Sequence, residues 1–421
     1  MTCETDVAVI GAGAAGLAAG AWLAAAGVDF RILEAASVIG GRAATDRETL
    51  GTPFDLGCHW LHDARANPFV PIARRLGFRF DADGPARRQR LLHLGARFAT
   101  ADEATAAQAA VDAAMDAVTA AGRAGRDVAA VEALPPLGRW LPLARHWLAR
   151  MSAAAPERIS TLDYSRYHDT DDNWPVLDGY GALIQAHAGA LPVTLDCPVT
   201  RLDHGGQRLR LETPRGTLTA RFAIVAVSTA VVARGQLAFT PSLPPELGEA
   251  FAALPLGCAE KVALLFDHDV FGVPPRTGLD AFDTDRPQRL AVSALLRPGG
   301  APAAVVHIAG PEAAALAAAG EGAMVDFATS ALAQAFGAGL RGRVRRARVT
   351  NWTHAPYIGG AYSCALPGAG HLRPWLHQGL GPRVLFAGEA LGGPAFSTAH
   401  GAHLSGRAAA ETVLERLRSQ P

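Results

Sequence analysis

Lysine is almost missing from this chain. Of its 39 basic residues only Lys261 is a lysine, so 38 are arginines. With so much alanine, glycine and arginine, the composition reads as that of a GC-rich genome, in which lysine codons drift to arginine wherever either cation serves. A lysine that persists against that drift marks a place where a compact ammonium is wanted and a planar guanidinium is not. Cysteine is scarce too: five, an odd number, scattered as Cys3, Cys58, Cys197, Cys258 and Cys364. That excludes a disulfide framework and points to a reducing compartment. Neither sign of charge is in excess, since 39 acidic residues match the 39 basic ones. The basic stripe of a nucleic-acid binder is therefore absent. Long apolar runs are missing; a stretch such as Ala18 to Val28 is interrupted by glycine and too short to cross a bilayer. The polar start, Met1 to Asp6, and the polar end, Arg416 to Pro421, carry neither a leader nor an anchor, so the expectation is a cytoplasmic protein without membrane attachment. Fourteen histidines occur without HxxxH or CxxC spacing, and no metal site is expected. What is present is enough apolar sequence, 49% of 421 residues, to exclude disorder and to build one large fold or two to three interleaved domains.

The first informative segment is a β-branched run, Asp6 to Ile10, followed by Gly11-Ala12-Gly13-Ala14-Ala15-Gly16. An alanine-rich helix and a second strand, Asp29 to Leu33, complete the order of a dinucleotide-binding βαβ unit. Gly11 permits the tight turn, Gly13 lets backbone approach a pyrophosphate, and Gly16 lets helix pack on strand. The free N–H groups at the helix start, from Ala14 and Ala15, face the phosphates. Glu34, followed by Ala35, ends the second strand, where a carboxylate bonds both ribose hydroxyls and repels a 2′-phosphate, which disfavours NADP. A second glycine pair, Gly40-Gly41-Arg42, follows closely. The far end of the chain supplies a matching half: a strand from Arg383 ending in Gly388-Glu389, then a glycine-rich start, Phe396 to Gly406, to a terminal helix through Leu417. A strand ending in an acid and the positive end of a helix suit a ribityl chain and a flavin pyrimidine.

Taken together, these segments resemble the flavin-dependent amine oxidase family of monoamine oxidases, polyamine oxidases and histone lysine-specific demethylases. The resemblance spans both ends and several internal blocks; residues 84 to 170 carry almost none of it. It implies an α/β fold with a two-dinucleotide-binding, Rossmann-type FAD domain interleaved with an α+β substrate domain. In Phe54 to His62 it implies Gly57, Cys58, His59 and Trp60 beside the flavin and His62 facing the substrate amine, where neutral imidazole accepts from or deprotonates an ammonium. It sets Lys261, near the start of the strand Cys258 to Phe266, at the position where the family bridges a lysine through water to flavin N5. It lays Trp352 along the flavin and makes Tyr362 one wall of an aromatic cage. Ala361 stands where monoamine oxidases have the flavin-linking cysteine, so FAD is expected to be non-covalent. The opposite wall aligns with Thr398, as in histone demethylases. Val199 is implied to pair with adenine through its backbone, while Gly388, Glu389, Ser397, Thr398 and Ala399 meet the rest of the cofactor. Ser228 departs from the family's usual proline.

These readings give an FAD domain of residues 1–83, 191–258 and 378–421, and a substrate domain of 84–190 and 259–377. Helices are expected at 101–121 and from Glu312 to Phe336. The acidic run Asp169 to Asp172 would attract a polyamine cation if it lined the mouth. The expected function is oxidation of a primary or secondary amine, polyamine-like substrates first, with hydride passing from the carbon next to nitrogen to FAD and O2 reduced to H2O2. The expected partners are a small-molecule amine and O2, with no nucleic acid or membrane; monomer and homodimer both stand open. An L-amino-acid oxidase is the nearest rival. It needs an arginine for the carboxylate near Cys58 to His62, where Arg65 is the nearest. A flavoprotein of desaturase or isomerase type is the next rival. Histone demethylation is disfavoured by the missing helical insertion.

Overall fold

A computed structural model describes residues 3–82, 89–284 and 291–419. The expected boundary at 83/84, the residues Met1, Thr2, Gln420 and Pro421, and the Cys3 side chain lie outside that description. The strand Cys3–Ile10 lies inside a sheet, with Val7, Ala8 and Val9 fully buried. It pairs in parallel with Phe30–Leu33 on one side and Gly216–Val225 on the other. Gly216–Val225 pairs in turn with Val384–Phe386, so the two ends of the chain meet in one sheet of eight strands. An antiparallel meander, Arg201–Asp203 and Leu209–Thr213, extends it, and Val193–Thr194 closes the far edge.

The crossover helix Ala14–Ala25 is alanine-rich because it is covered on both sides. One side meets the sheet and the other meets the terminal helix Ala399–Ser419, whose Gly406 approaches so closely that a Cβ there would stand 2.0 Å from the Ala15 carbonyl oxygen. A second sheet of six strands runs in the order Val344–Val349, Ala259–Phe266, Ala303–Ala309, Val292–Leu296, Thr277–Ala281 and Arg90–His93. The helices Pro311–Ala319 and Glu321–Phe336 cover its apolar face.

Three expectations need adjustment. The single helix from Glu312 to Phe336 is two, because Gly320 adopts φ +94° and ends the first of them. Residues 174–188, placed with the substrate half, pack with the first sheet: Val176, Tyr180, Leu183 and Ile184 share a core with Val7, Leu17 and Ile32. Ala365, Leu372 and Leu376, also placed there, pack against that sheet's other face. The helix over 101–121 forms as Ala101–Arg123, started by a reciprocal Thr100–Glu103 capping box.

Candidate active site

The carboxyl ends of the parallel strands open onto one cavity of about 960 Å³, lined by Gly11, Ala226 and Gly388 at the ends of three of them. A ligand crevice is expected at that edge of an open α/β sheet. The glycines divide their work as the spacing predicts. Gly11 adopts φ +99°, and a Cβ there would come 2.9 Å from the Ala226 oxygen; one on Gly16 would come 1.9 Å from the Gly11 oxygen. Gly13 alone of the three has open space where a Cβ would point. The second glycine pair is stitched beside it, since Gly40 N–H donates to Ala12 O at 2.8 Å and Gly41 lies against Gly13. Glu34 accepts from the backbone N–H of Ala12 at 2.6 Å and of Ala36 at 2.8 Å, which fixes its carboxylate and leaves each oxygen a lone pair for a ribose hydroxyl. Val199, Ala35, Ala14, Ala15, Ser397 and Ala399 line the same cavity. An open, glycine-walled cradle with an oriented carboxylate at one end fits an adenine dinucleotide.

Gly57 is sterically fixed, because a Cβ there would stand 1.7 Å from the backbone oxygen of Arg42. No flexible side chain can yield at that contact. Gly57→Ala is expected to lower the flavin-to-protein ratio after gel filtration about tenfold or to prevent folding; full retention of flavin would refute the packing argument.

Arg42 donates to Ala361 O and reaches Glu389 at 3.2 Å. Glu389 accepts from Ser363 N–H and from its hydroxyl at 2.7 Å. That hydroxyl takes a further bond from Arg373, which is bound in a bidentate pair to Asp163 at 2.7 Å by both nitrogens. The pair is almost solvent-free and Asp163 lines the cavity, so a charge-balanced network braces this wall.

Lys261 reaches in from the second sheet. Its Nζ donates to the carbonyls of Asp55 at 2.7 Å and Gly57 at 2.6 Å. Burial pulls its pKa down to about 8, against the opposing pull of Asp55 and Cys58 and with help from Arg150. Glu260, beside it in sequence, is fully buried. It accepts from Thr350 Oγ1, Trp352 N–H and both donors of Thr353, so it fixes the loop that carries Trp352. The Trp352 indole donates to Leu56 O at 3.2 Å. From Lys261 a polar row runs straight across the sheet, register partner to register partner: His307, Ser293, Asp280.

His62 lines the cavity. Its Nδ1 is 2.5 Å from Asn173 Oδ1, and the Asn173 amide N–H in turn reaches Asp169. Nδ1 therefore carries the hydrogen, and Nε2 keeps a bare lone pair. Burial holds the ring's pKa down and hence the imidazole neutral. His59 instead donates to Asp55 and stands edge-on to Trp60. Asp55 also accepts the N–H groups of Tyr180 and Gly181, which open the helix Tyr180–Ala188, so His59 belongs to a structural cluster.

Tyr362 faces the cavity with its hydroxyl tied to Arg150 O. Thr398 lines the cavity too, with its hydroxyl engaged locally. Its hydroxyl donates to Ala395 O and accepts from Gly401 N–H, which makes it the cap of the terminal helix. Tyr164 and Tyr167 add aromatic surface beside Tyr362, Tyr167 packing edge-on against Phe396. Sequence reasoning missed both, although four of the five tyrosines in the chain line this cavity. It also missed Glu260, Trp147, His307 and Arg150. Arg65, the arginine nearest the glycine–histidine block, is an exposed partner of Asp172. Ser228, in place of the family's proline, caps the helix Thr229–Ala233 and donates to Ile358 O. Cys58, Cys258 and Cys364 are free thiols held protonated by burial, with pKa values raised to about 12, 11 and 12. Ala361, in the linking position, has no nucleophile at all.

The family model described as flavin containing amine oxidoreductase matches residues 14–166 and 146–414. Polyamine oxidase 1 of rice, Oryza sativa subsp. japonica, is 28% identical over 98% of this chain and 97% of its own length. Lysine-specific histone demethylase 2 of Homo sapiens is 26% identical over 95% of this chain, which spans 52% of that protein. Among solved structures, a wild-type putrescine oxidase bound to putrescine superposes with a TM-score of 0.81 at 18% identity, over 99% of this chain and 100% of the other, and shows the same fold. No described helix is long and apolar enough to cross a membrane. With both halves of a dinucleotide cradle in place and non-covalent FAD as its cofactor, the chain belongs to the family of flavin-containing amine oxidoreductases.

Proposed function

We propose that this enzyme is an oxidase of polyamine-like aliphatic amines that passes its electrons to O2. The observation that carries the reading is Lys261, the chain's lone lysine, half-buried at the cavity wall with two of its three donors fixed on backbone carbonyls. Gly11, Gly13, Gly16 and Glu34 would hold the adenine half of FAD, and Arg42, Gly57, Trp352, Gly388 and Ser397 would surround the remainder. When bound, FAD supplies the acceptor for the hydride that leaves the carbon next to nitrogen and hands the electron pair on to O2, which becomes H2O2.

The protein's own part is pose and proton management. A C–H bond adjacent to nitrogen yields hydride only when the nitrogen lone pair is free to form the C=N bond, so the bound amine must be neutral. The bare Nε2 of His62 is placed to accept the ammonium proton, and the Asp169–Asn173 chain fixes its tautomer. Tyr362, Tyr164 and Tyr167 give apolar faces that favour the neutral amine by keeping water away. Lys261 as ammonium has one donor left after its two carbonyl bonds, enough to hold the water that adds to the imine and releases aldehyde and shortened amine. The same charge favours reduction of O2 nearby. Asp112, Asp169 and Asp171 line the outer wall and would draw a distal ammonium of a polyamine chain.

The test is peroxide release by the yellow protein against spermine, spermidine, acetylated polyamines, putrescine, benzylamine and amino acids. Turnover of at least one aliphatic amine, with aldehyde formed, is expected. Activity confined to benzylamine, or none with flavin fully bound, overturns the reading.

A further inference from the structure

One line of polar side chains has no part in the chemistry above. Beyond Lys261, the row across the second sheet continues through His307, Ser293 and Asp280, each the register partner of the one before. Opposed residues of an antiparallel pair share a face, so the four side chains lie in one line. The next row on that face, Ala263, Val305, Leu295 and Gly278, is wholly apolar. The Ser293 hydroxyl donates to Asp280 Oδ1 at 2.5 Å and lies 2.9 Å from Nε2 of His146, on the helix Leu141–Ser152. With its one hydrogen given to Asp280, Ser293 accepts from His146. Ser293 is buried, whereas Asp280 meets Arg90 at 3.4 Å with side chains 13% and 48% exposed, so this end of the row reaches solvent.

Beside the line lies a chamber of about 40 Å³, walled by Asp280, Ser293, His307, His59, Arg90 and Arg150 among others. One water needs about 10–15 Å³ of such space, so a polar chamber of this size holds about three. His307 lines both the chamber and the main cavity, where Lys261 also stands. Among the described residues, no hydrogen bond ties either nitrogen of the His307 ring. Burial, then the charges of Arg150 and Lys261 and the nearby His59 and His146, hold its pKa well below the ordinary value, so the ring is neutral, with one nitrogen donating and the other bare. Burial brings His146 down to about 4, and His59 is bonded to Asp55. A neutral imidazole can take a proton at one nitrogen as it gives up the hydrogen on the other, and a ring tied to no residue can turn back afterwards. Polar groups lined up in an otherwise apolar layer are costly unless they are bonded or used.

We propose that this row is the path by which a proton from solvent reaches Lys261, entering at Asp280 and passing through Ser293, water in the chamber and His307. The balance of the reaction requires such a delivery. O2 takes two electrons and two protons to become H2O2. The hydride taken from the amine accounts for both electrons and one proton; the second proton leaves the Lys261 ammonium, and the row restores it. The proton that His62 removes from the substrate departs through the outer cavity, so each turnover releases one proton on one side, takes one up on the other and has no net change. This rests on the amine-oxidase reading and deepens it. Asp280 and Ser293 act through Lys261, leaving the bond-breaking steps to the groups already described.

The lone lysine makes the test direct, because isotopic labelling of lysine in the holoenzyme gives a single side-chain ammonium signal by nuclear magnetic resonance. The quantity read is the exchange of the Lys261 ammonium hydrogens with water at neutral pH. In His307→Gln, whose amide bonds like an imidazole and cannot pass a proton, that exchange should slow about tenfold or more. Reoxidation of the amine-reduced enzyme by O2 should slow by a similar factor, while anaerobic reduction by the amine stays within about twofold of the wild type. Added imidazole should speed both processes in His307→Ala; no response counts against the path. Unchanged hydrogen exchange in His307→Gln overturns the path even if turnover falls, because a merely structural or electrostatic effect leaves the exchange as it was. Slowed exchange in a protein whose bound flavin no amine reduces keeps the path and sinks the oxidase. If His307→Gln fails to fold, Ser293→Ala, which removes only a hydroxyl, should slow exchange and reoxidation together; unchanged exchange there also overturns the path.

Discussion

Lys261→Met is expected to cut O2-dependent turnover roughly 100-fold or more, the scale on which a preorganised donor or proton-transfer group acts. Methionine has about the length of the side chain and no charge, so the strand Ala259–Phe266 should still form and flavin should still bind. Lys261→Arg should fail nearly as badly. A guanidinium has donors to spare, but it is larger and planar and cannot put one nitrogen where Lys261 Nζ bonds both the Asp55 and Gly57 carbonyls, which is the physical content of one lysine surviving among 38 arginines. The pH dependence has a definite sign. Burial lowers the pKa of Lys261 to about 8, so the ammonium prevails at neutral pH and is lost as pH rises through that value. Reoxidation of the reduced enzyme by O2 should therefore slow through about pH 8 in the wild type, and the Lys261→Met profile should be flat there. A wild-type limb that persists in the variant would assign the titration to another group.

Asp163→Ala is expected to destabilise the fold by about 3–5 kcal/mol, because it strands the buried guanidinium of Arg373. The two side chains are 3% and 6% exposed and bonded through two nitrogens, so little water can replace the lost partner. Arg373 also lies 4.0 Å from the centre of the Phe396 ring and binds Ser363 and Ala390, so it cannot swing out to solvent without dismantling the cavity wall. Thermal unfolding should shift down by several degrees and flavin should dissociate more readily. Asp163→Asn, which keeps the shape and part of the hydrogen bonding, should lie between the two. Glu212→Gln, which breaks a half-exposed pair with Arg201, should leave Tm unmoved. If Asp163→Ala and Glu212→Gln behave alike, the buried network is not what braces this wall.

The parts of the site that the sequence disclosed are those whose chemistry is local. Gly11, Gly13 and Gly16 announce a turn, an open approach and a helix contact within six residues, and each plays that part in the structure. Lys261 was legible through its rarity. Ser228 and Thr398 were ambiguous because a hydroxyl at a helix start serves equally as a cap or as a site group. Arg150, Trp147, Tyr164 and Tyr167 fall in a stretch with no legible motif, on helices or beside them, although the family model spans it. Their meaning comes from long-range placement: Arg150 matters because its helix sets it beside His307 and Tyr362, residues far along the chain. Glu260 carries no sequence signal of its own; only the fold of Thr350 to Thr353 around it shows a four-donor anchor. The helix break at Gly320 was readable in principle, but an alanine-rich flank on both sides hid it.

The most direct test is anaerobic mixing of the holoenzyme with spermidine and putrescine in turn, followed by admission of air. The yellow flavin colour should bleach without oxygen with at least one of them. On admitting air the colour should return, with one H2O2 formed per amine consumed. A flavin that stays oxidised with both, while remaining bound, would contradict the amine-oxidase reading.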